Sequence, residues 1–178
     1  DPPSPPNTSS TIPNAHLAVT LAHQTKVYDG NANATLAAGA ITATGVTVGG
    51  VTETATVTQT VGSYNSKNVA SANTVTATLA AGQFTAGTAD LGNYNLPTTV
   101  SNTSSTITQA ALTLTASSDL NKVYNGSEQS VSGFAITSGS LQGTDSLAVD
   151  LANITAGAKA THAGTHTSTV NDSAYTNG

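Results

Sequence analysis

Val51-Thr52-Glu53-Thr54-Ala55-Thr56-Val57-Thr58-Gln59-Thr60-Val61 alternates with a period of two along its whole length. Its odd positions carry Val51, Ala55, Val57 and Val61, with Glu53 and Gln59 among them, and every even position is threonine. A β-strand turns successive side chains to opposite faces, so the run reads as one strand with a mostly apolar face and a threonine face. Threonine suits an exposed pleated surface, its methyl packing and its hydroxyl wet. Asn73–Leu79 has the same pattern, and His16–Thr20 and Ala111–Thr115 are shorter versions of it. Between such runs stand turn dipeptides: Asp29-Gly30, Gly49-Gly50, Gly62-Ser63, Gly92-Asn93, Asn125-Gly126 and Gly143-Thr144. No amphipathic helical pattern intervenes, so the spacing indicates an all-β fold of antiparallel, Ig-like sandwiches.

Working outward from that run, Lys26-Val27-Tyr28-Asp29-Gly30 returns as Lys122-Val123-Tyr124-Asn125-Gly126. The offset, 122 − 26 = 96 residues, is the length of a small domain. The block Thr11–Thr20 matches Thr106–Thr115 one residue out of phase, a slip that a surface loop tolerates. Two tandem modules are therefore expected, over residues 15–109 and 110–178. Residues 1–14 read as a Pro-rich linker and the tail of a preceding repeat, and Asp1 as a cut within a longer precursor. At the same offset, the second module's counterpart of Gly92–Asn95 falls beyond Gly178, so that module is expected to be incomplete at its C-terminus. Ala174–Gly178 would be a shortened tyrosine block. The resulting open sheet edge would fray or accept Ser9–Ile12 of a neighbouring molecule.

The chain contains no Cys, Met, Trp or Arg. Without cysteine there is no disulfide framework and no thiolate zinc site, which suits a bacterial secreted chain better than a small eukaryotic ectodomain. Charged residues make up 7%, against about 25% in ordinary domains. Hydroxyls, rather than ions, must therefore keep the faces wet. The net charge of −5 disfavours nucleic acid and anionic membrane surfaces, both of which need clustered cations. No apolar run reaches the roughly 20 residues of a membrane helix, so membrane insertion of this segment is not expected.

Lys26–Gly30, Ser66-Lys67-Asn68-Val69, Asn73–Thr76, Gly92-Asn93-Tyr94-Asn95-Leu96 and the closing Thr106-Ile107-Thr108 follow in an order that resembles the YDG repeat. The second module, with Asn125 for Asp and without the Gly-Asn-Tyr-Asn block, is similar to YDG and to related MBG-type repeats. Such repeats occur in large secreted bacterial adhesins, including filamentous haemagglutinin-like proteins exported by two-partner secretion. The resemblance implies an extracellular, cell-surface location and a non-catalytic stalk or adhesive-fibre role in attachment, biofilm formation or virulence. The implied partners are neighbouring repeats of the same polypeptide. The competing class is a carbohydrate- or glycoprotein-binding module that takes host or matrix glycans.

The candidate sites are modest. Tyr28 and Tyr124 stand out because large aromatics are scarce, and each is expected to be a core anchor, with a sugar-stacking platform as the alternative. Asp29, Asn31 and Asn33 begin like a calcium loop, but Ala34 replaces the turn glycine and Ala40 the closing glutamate, so an ordinary turn and no cofactor are expected. His162 and His166 are four apart, a ligand spacing on a helix but roughly 13 Å apart on a strand. There is no Gly-x-Ser-x-Gly elbow and no acid pair, so enzymatic activity is not expected. Glu53, in the apolar register, together with Lys26 and Asn93 or Asn95, supplies the parts of a self-forming isopeptide crosslink; the alternatives are a Glu at a frayed strand end, facing water, and a plain Glu53–Lys pair. Glycosylation sequons occur at Asn7, Asn33, Asn102, Asn125, Asn153 and Asn171.

Overall fold

In the computed structural model the described residues are 10–116, 118–119, 121–130, 133–149, 160–167 and 175–176. The chain divides into two compact units, one of Asp1–Lys26 and Ala32–Ile107, the other of Val27–Asn31 and Thr108–Gly178. The first motif loop thus belongs with the residues that follow Ile107.

Up to Thr108 the chain forms β1 (Ala15–His16), β2 (Ala18–Leu21), β3 (Thr25–Val27), β4 (Asn33–Thr35), β5 (Ile41–Val48) and β6 (Val51–Val57). It continues with β7 (Val61–Tyr64), β8 (Val75–Thr78), β9 (Phe84–Ala86), β10 (Tyr94–Asn95), β11 (Thr99–Asn102) and β12 (Thr106–Thr108). Strands β2-β5-β6-β9 form one four-stranded antiparallel sheet and β11-β8-β7-β4 a second. Strand β1 runs parallel to β10, and β12 pairs with β3. The all-β reading holds.

Alternation places the core. Leu21, Ile41, Ala43, Ala55, Val57 and Phe84 are buried from the first sheet, and Ala34, Tyr64, Val75, Ala77 and Val100 from the second. On the opposite face of the first sheet, Thr20, Thr42, Thr56 and Thr85 stand in register across all four strands, all exposed. The second sheet carries Ser101, Thr76 and Ser63 in the same way. The hydroxyls bond across strands, Thr20 to Thr42 at 2.6 Å and Thr76 to Ser101 at 2.8 Å.

Two local expectations are corrected. The run Val51–Val61 is two strands, not one: β6 ends at Val57 and β7 begins at Val61 in the other sheet. Gln59 makes the switch, because its Oε1 accepts from the Thr60 and Val61 N–H groups and its Nε2 donates to the Thr78 carbonyl at 2.6 Å. The side chain thereby supplies partners where the ladder stops. Gly62-Ser63, expected as a turn, lies within β7. A Cβ on Gly62 would come within 3.1 Å of Val75 Cγ1 and 3.2 Å of the Thr76 carbonyl, so the glycine answers close packing.

In the second unit β13 (Thr113–Ala116) pairs with β14 (Phe134–Ser138), and β15 (Ala148–Val149) with β16 (Tyr175–Thr176), both antiparallel. The β13–β14 pair echoes β2–β5 in one bond: Thr115 and Thr137 bond through their hydroxyls at 3.0 Å, as Thr20 and Thr42 do 95 residues earlier (115 − 20 = 137 − 42 = 95), although Thr115 stands opposite Ala135 in the ladder whereas Thr20 stands opposite Thr42. Among the described residues this unit shows two-stranded pairs only, so a sandwich of two four-stranded sheets is observed in the first unit alone. Tyr175–Thr176 differs from the tyrosine block it was expected to echo, since Tyr94–Asn95 pairs in parallel with Ala15–His16.

Candidate functional site

The first motif loop leaves β3 and turns at Gly30, which holds φ +79, a left-handed value that favours glycine. The Asp29 Oδ1 accepts from the Asn31 N–H at 3.2 Å, an Asx-turn that fixes the loop locally. The Tyr28 N–H donates to the Thr108 carbonyl at 2.8 Å. The Tyr28 hydroxyl donates to Asp145, and that bond, with desolvation and the nearby negative charges of Asp145 and Asp29, raises its pKa above the ordinary tyrosine value. At Gly30 an added Cβ would lie 3.1 Å from Gln142 Cβ, so the loop sits closely against the turn Gln142–Asp145.

The second motif loop has the same backbone. Gly126 holds φ +77, and Asn125 Oδ1 accepts from the Ser127 N–H at 3.0 Å. Its surroundings differ: Tyr124 is 63% exposed and no atom lies within 4 Å of a Cβ built on Gly126. The core-anchor reading is therefore corrected for both tyrosines. Tyr28 is half-buried and held by a carboxylate, and Tyr124 faces solvent. The aromatic residues that do fill the first core are Tyr64, Phe84 and Tyr94.

Tyr94, carried by the Gly92–Asn95 block, is the residue that sequence reasoning passed over. Its hydroxyl donates to Glu53 Oε2 and accepts from the Val46 N–H at 2.9 Å. The bond to Glu53 raises the Tyr94 pKa, aided by desolvation and opposed by the Val46 N–H. A Cβ at Gly45 would lie 2.2 Å from the Tyr94 hydroxyl oxygen, so the glycine admits the ring. Glu53 is half-buried with this partner, within β6 rather than at a frayed end. The isopeptide parts are engaged elsewhere. Lys26 Nζ lies 5.7 Å from the centroid of the Tyr64 ring, Asn93 Nδ2 reaches Asp90 at 3.5 Å, and Asn95 Nδ2 reaches the Asn14 carbonyl at 3.3 Å.

Among the sequons, Asn102 is built into the fold. Its Nδ2 donates to the Leu21 carbonyl at 2.9 Å, while Oδ1 accepts from the Ser104 N–H and from the Ser104 and Ser105 hydroxyls. An amide nitrogen so engaged is not free for a glycan. Asn33 and Asn125 are exposed, and Asn7, Asn153 and Asn171 lie outside the described residues. His162 lies in a bend and His166 in the irregular stretch after it, neither in a strand, and His166 Nε2 meets the His162 carbonyl at 3.1 Å. Among the described residues no group of three His, Cys, Asp or Glu could hold a metal ion, and Lys122 pairs with Asp119 at 4.0 Å.

The loop at Tyr28 and the block at Tyr94 both fall in residues 13–102, just over half of the chain, and this stretch matches the model of the YDG domain. The chain belongs to the YDG domain family. No curated protein and no solved structure matches it. The matched segment contains the namesake Tyr28-Asp29-Gly30 of the YDG domain, although that loop groups with the second compact unit.

Proposed function

We propose that this YDG-domain chain is a non-catalytic repeat segment of a secreted bacterial surface adhesin, serving as a shaft or fibre element in attachment or biofilm formation. The observation that carries this reading is repetition at the level of single hydrogen bonds. The Thr–Thr pair and the Asx-turn of the motif loop each recur about one module later. Repetition of that kind suits a protein built by stacking modules to gain length. Both sheets of the first unit also present in-register hydroxyls, which hold water without the long-range fields of ions. Export by two-partner secretion and a location outside the cell belong to the same proposal.

The test is antibody labelling of the intact producing bacterium against this segment, followed by protease shaving. Surface labelling that shaving removes is the expected result. A signal seen only after lysis would sink the proposal. A glycan array with the purified chain separates shaft from lectin, since a coherent set of hits would mark a binding module instead.

A further inference from the structure

We infer that Val123–Gly126 is a docking loop, and that its partner is another module of the same kind following in the same polypeptide. The loop's counterpart already shows the mode of docking. Val27-Tyr28-Asp29-Gly30 lies against Gln142–Asp145, with the Tyr28 hydroxyl on the Asp145 carboxylate and Gly30 against Gln142. It belongs to the compact unit of the residues it touches, not to the one that precedes it in the chain. Val123–Gly126 matches it in sequence at three of four positions, in the left-handed glycine and in the Asx-turn. The second loop is also preformed: Gln129 Nε2 donates to the Val123 carbonyl, leaving the Tyr124 side chain outward.

What distinguishes the two loops is cover. Tyr28 has a carboxylate and Gly30 a neighbouring side chain, whereas Tyr124 is exposed and Gly126 faces open space. A large aromatic held outward on a rigid turn, identical in form to one that docks, is a recognition element. Its partner must present a turn like Gln142–Asp145, with a carboxylate to accept a hydrogen bond from the phenol and a small gap to receive the glycine. A following module placed by the linking strand would meet it at the high effective concentration that tethering gives. The inference rests on the repeat character of the chain and stands whether or not the protein is an adhesin.

Two experiments test it, both read by tetranitromethane nitration of individual tyrosines mapped by mass spectrometry. In the chain as it stands, Tyr28 should react slowly and Tyr124 fast. Asp29→Asn makes Lys26–Gly30 identical to Lys122–Gly126. Tyr28 should stay as protected as in the parent, because the second motif's sequence is competent to dock. A rise of Tyr28 to the rate of Tyr124 would overturn the inference. In the second experiment, residues 83–178 are repeated after Gly178, which keeps the register because 178 − 96 = 82. The appended copy carries Tyr124→Phe so that the original Tyr124 is read alone. Its nitration should fall to the rate of Tyr28, and Asp145→Ala in the appended copy should restore it. An unchanged fast rate with the appended copy folded would refute docking; if that copy does not fold, the Asp29→Asn result decides.

Discussion

Replacing Asn102 by alanine should unfold the first unit far more readily, and for reasons that have nothing to do with its sequon. The side chain sits at the end of β11 and reaches the carbonyl of Leu21, the last residue of β2, at 2.9 Å. It also accepts the Ser105 hydroxyl at 3.1 Å, and that hydroxyl accepts the Gln24 N–H at 3.1 Å. Ser105 is fully buried and Leu21 is 4% exposed. Asn102→Ala therefore leaves a buried hydroxyl without its acceptor and a near-buried carbonyl without its donor. At about 1–3 kcal/mol for each orphaned group, partly relieved by water at the rim, the loss should be about 2–4 kcal/mol. For a unit of this size that is a fall in melting temperature of roughly 10–20 °C. Ser105→Ala should cost about 1–2 kcal/mol, since it orphans only the half-buried Gln24 N–H. The double variant should fall short of the sum by about 0.5–1.5 kcal/mol, because both remove the Ser105–Asn102 bond. Ser104→Ala is the control: it destroys the sequon but keeps the Ser104 N–H bond to Asn102, and should cost under about 0.5 kcal/mol. Urea melts followed by circular dichroism, with calorimetry to resolve the units, give these values. Equal effects of Asn102→Ala and Ser104→Ala, or a loss below about 0.5 kcal/mol for Asn102→Ala, would refute the reasoning.

Gly45→Ala should destabilise the first unit by about 1–3 kcal/mol through overpacking and shift the Tyr94 ultraviolet titration down towards ordinary tyrosine as the Glu53 bond is lost; an unshifted titration would mean that the ring has room. The raised pKa of Tyr94 gives stability that is present below the unfolded tyrosine value of about 10 and lost as pH climbs through the folded value. Tyr94→Phe should therefore flatten the alkaline fall in melting temperature, leaving the contributions of the desolvated Tyr64 and of Tyr28, whose pKa values are also raised. Gln59→Ala removes three hydrogen bonds at the sheet switch and should cost about 1–2 kcal/mol, read by urea midpoint. Intact-mass spectrometry should return the full sequence mass, with no loss of ammonia; a deficit of one ammonia would reinstate a Lys–Asn crosslink.

The chain's own sequence determined the class of fold, the two-faced strands and the repeat near 96 residues. Each of these is local or periodic: alternation sets which side chains face the core, and self-similarity needs no knowledge of neighbours. Leu21, Ile41, Ala43, Ala55, Val57, Val75 and Ala77 are buried where alternation puts them. Only the tertiary structure decided what the polar and aromatic residues do. Tyr94 meets Glu53 across 41 residues and Asn102 meets Leu21 across 81, and no spacing along the chain marks such pairs. The alternation through Thr58–Thr60 looks like uninterrupted strand because Gln59 resembles any other half-polar position until Thr78 is seen beside it. Tyr28 and Tyr124 are equivalent in sequence and alike in backbone, yet one is covered and the other exposed, because burial depends on what the fold brings alongside a loop.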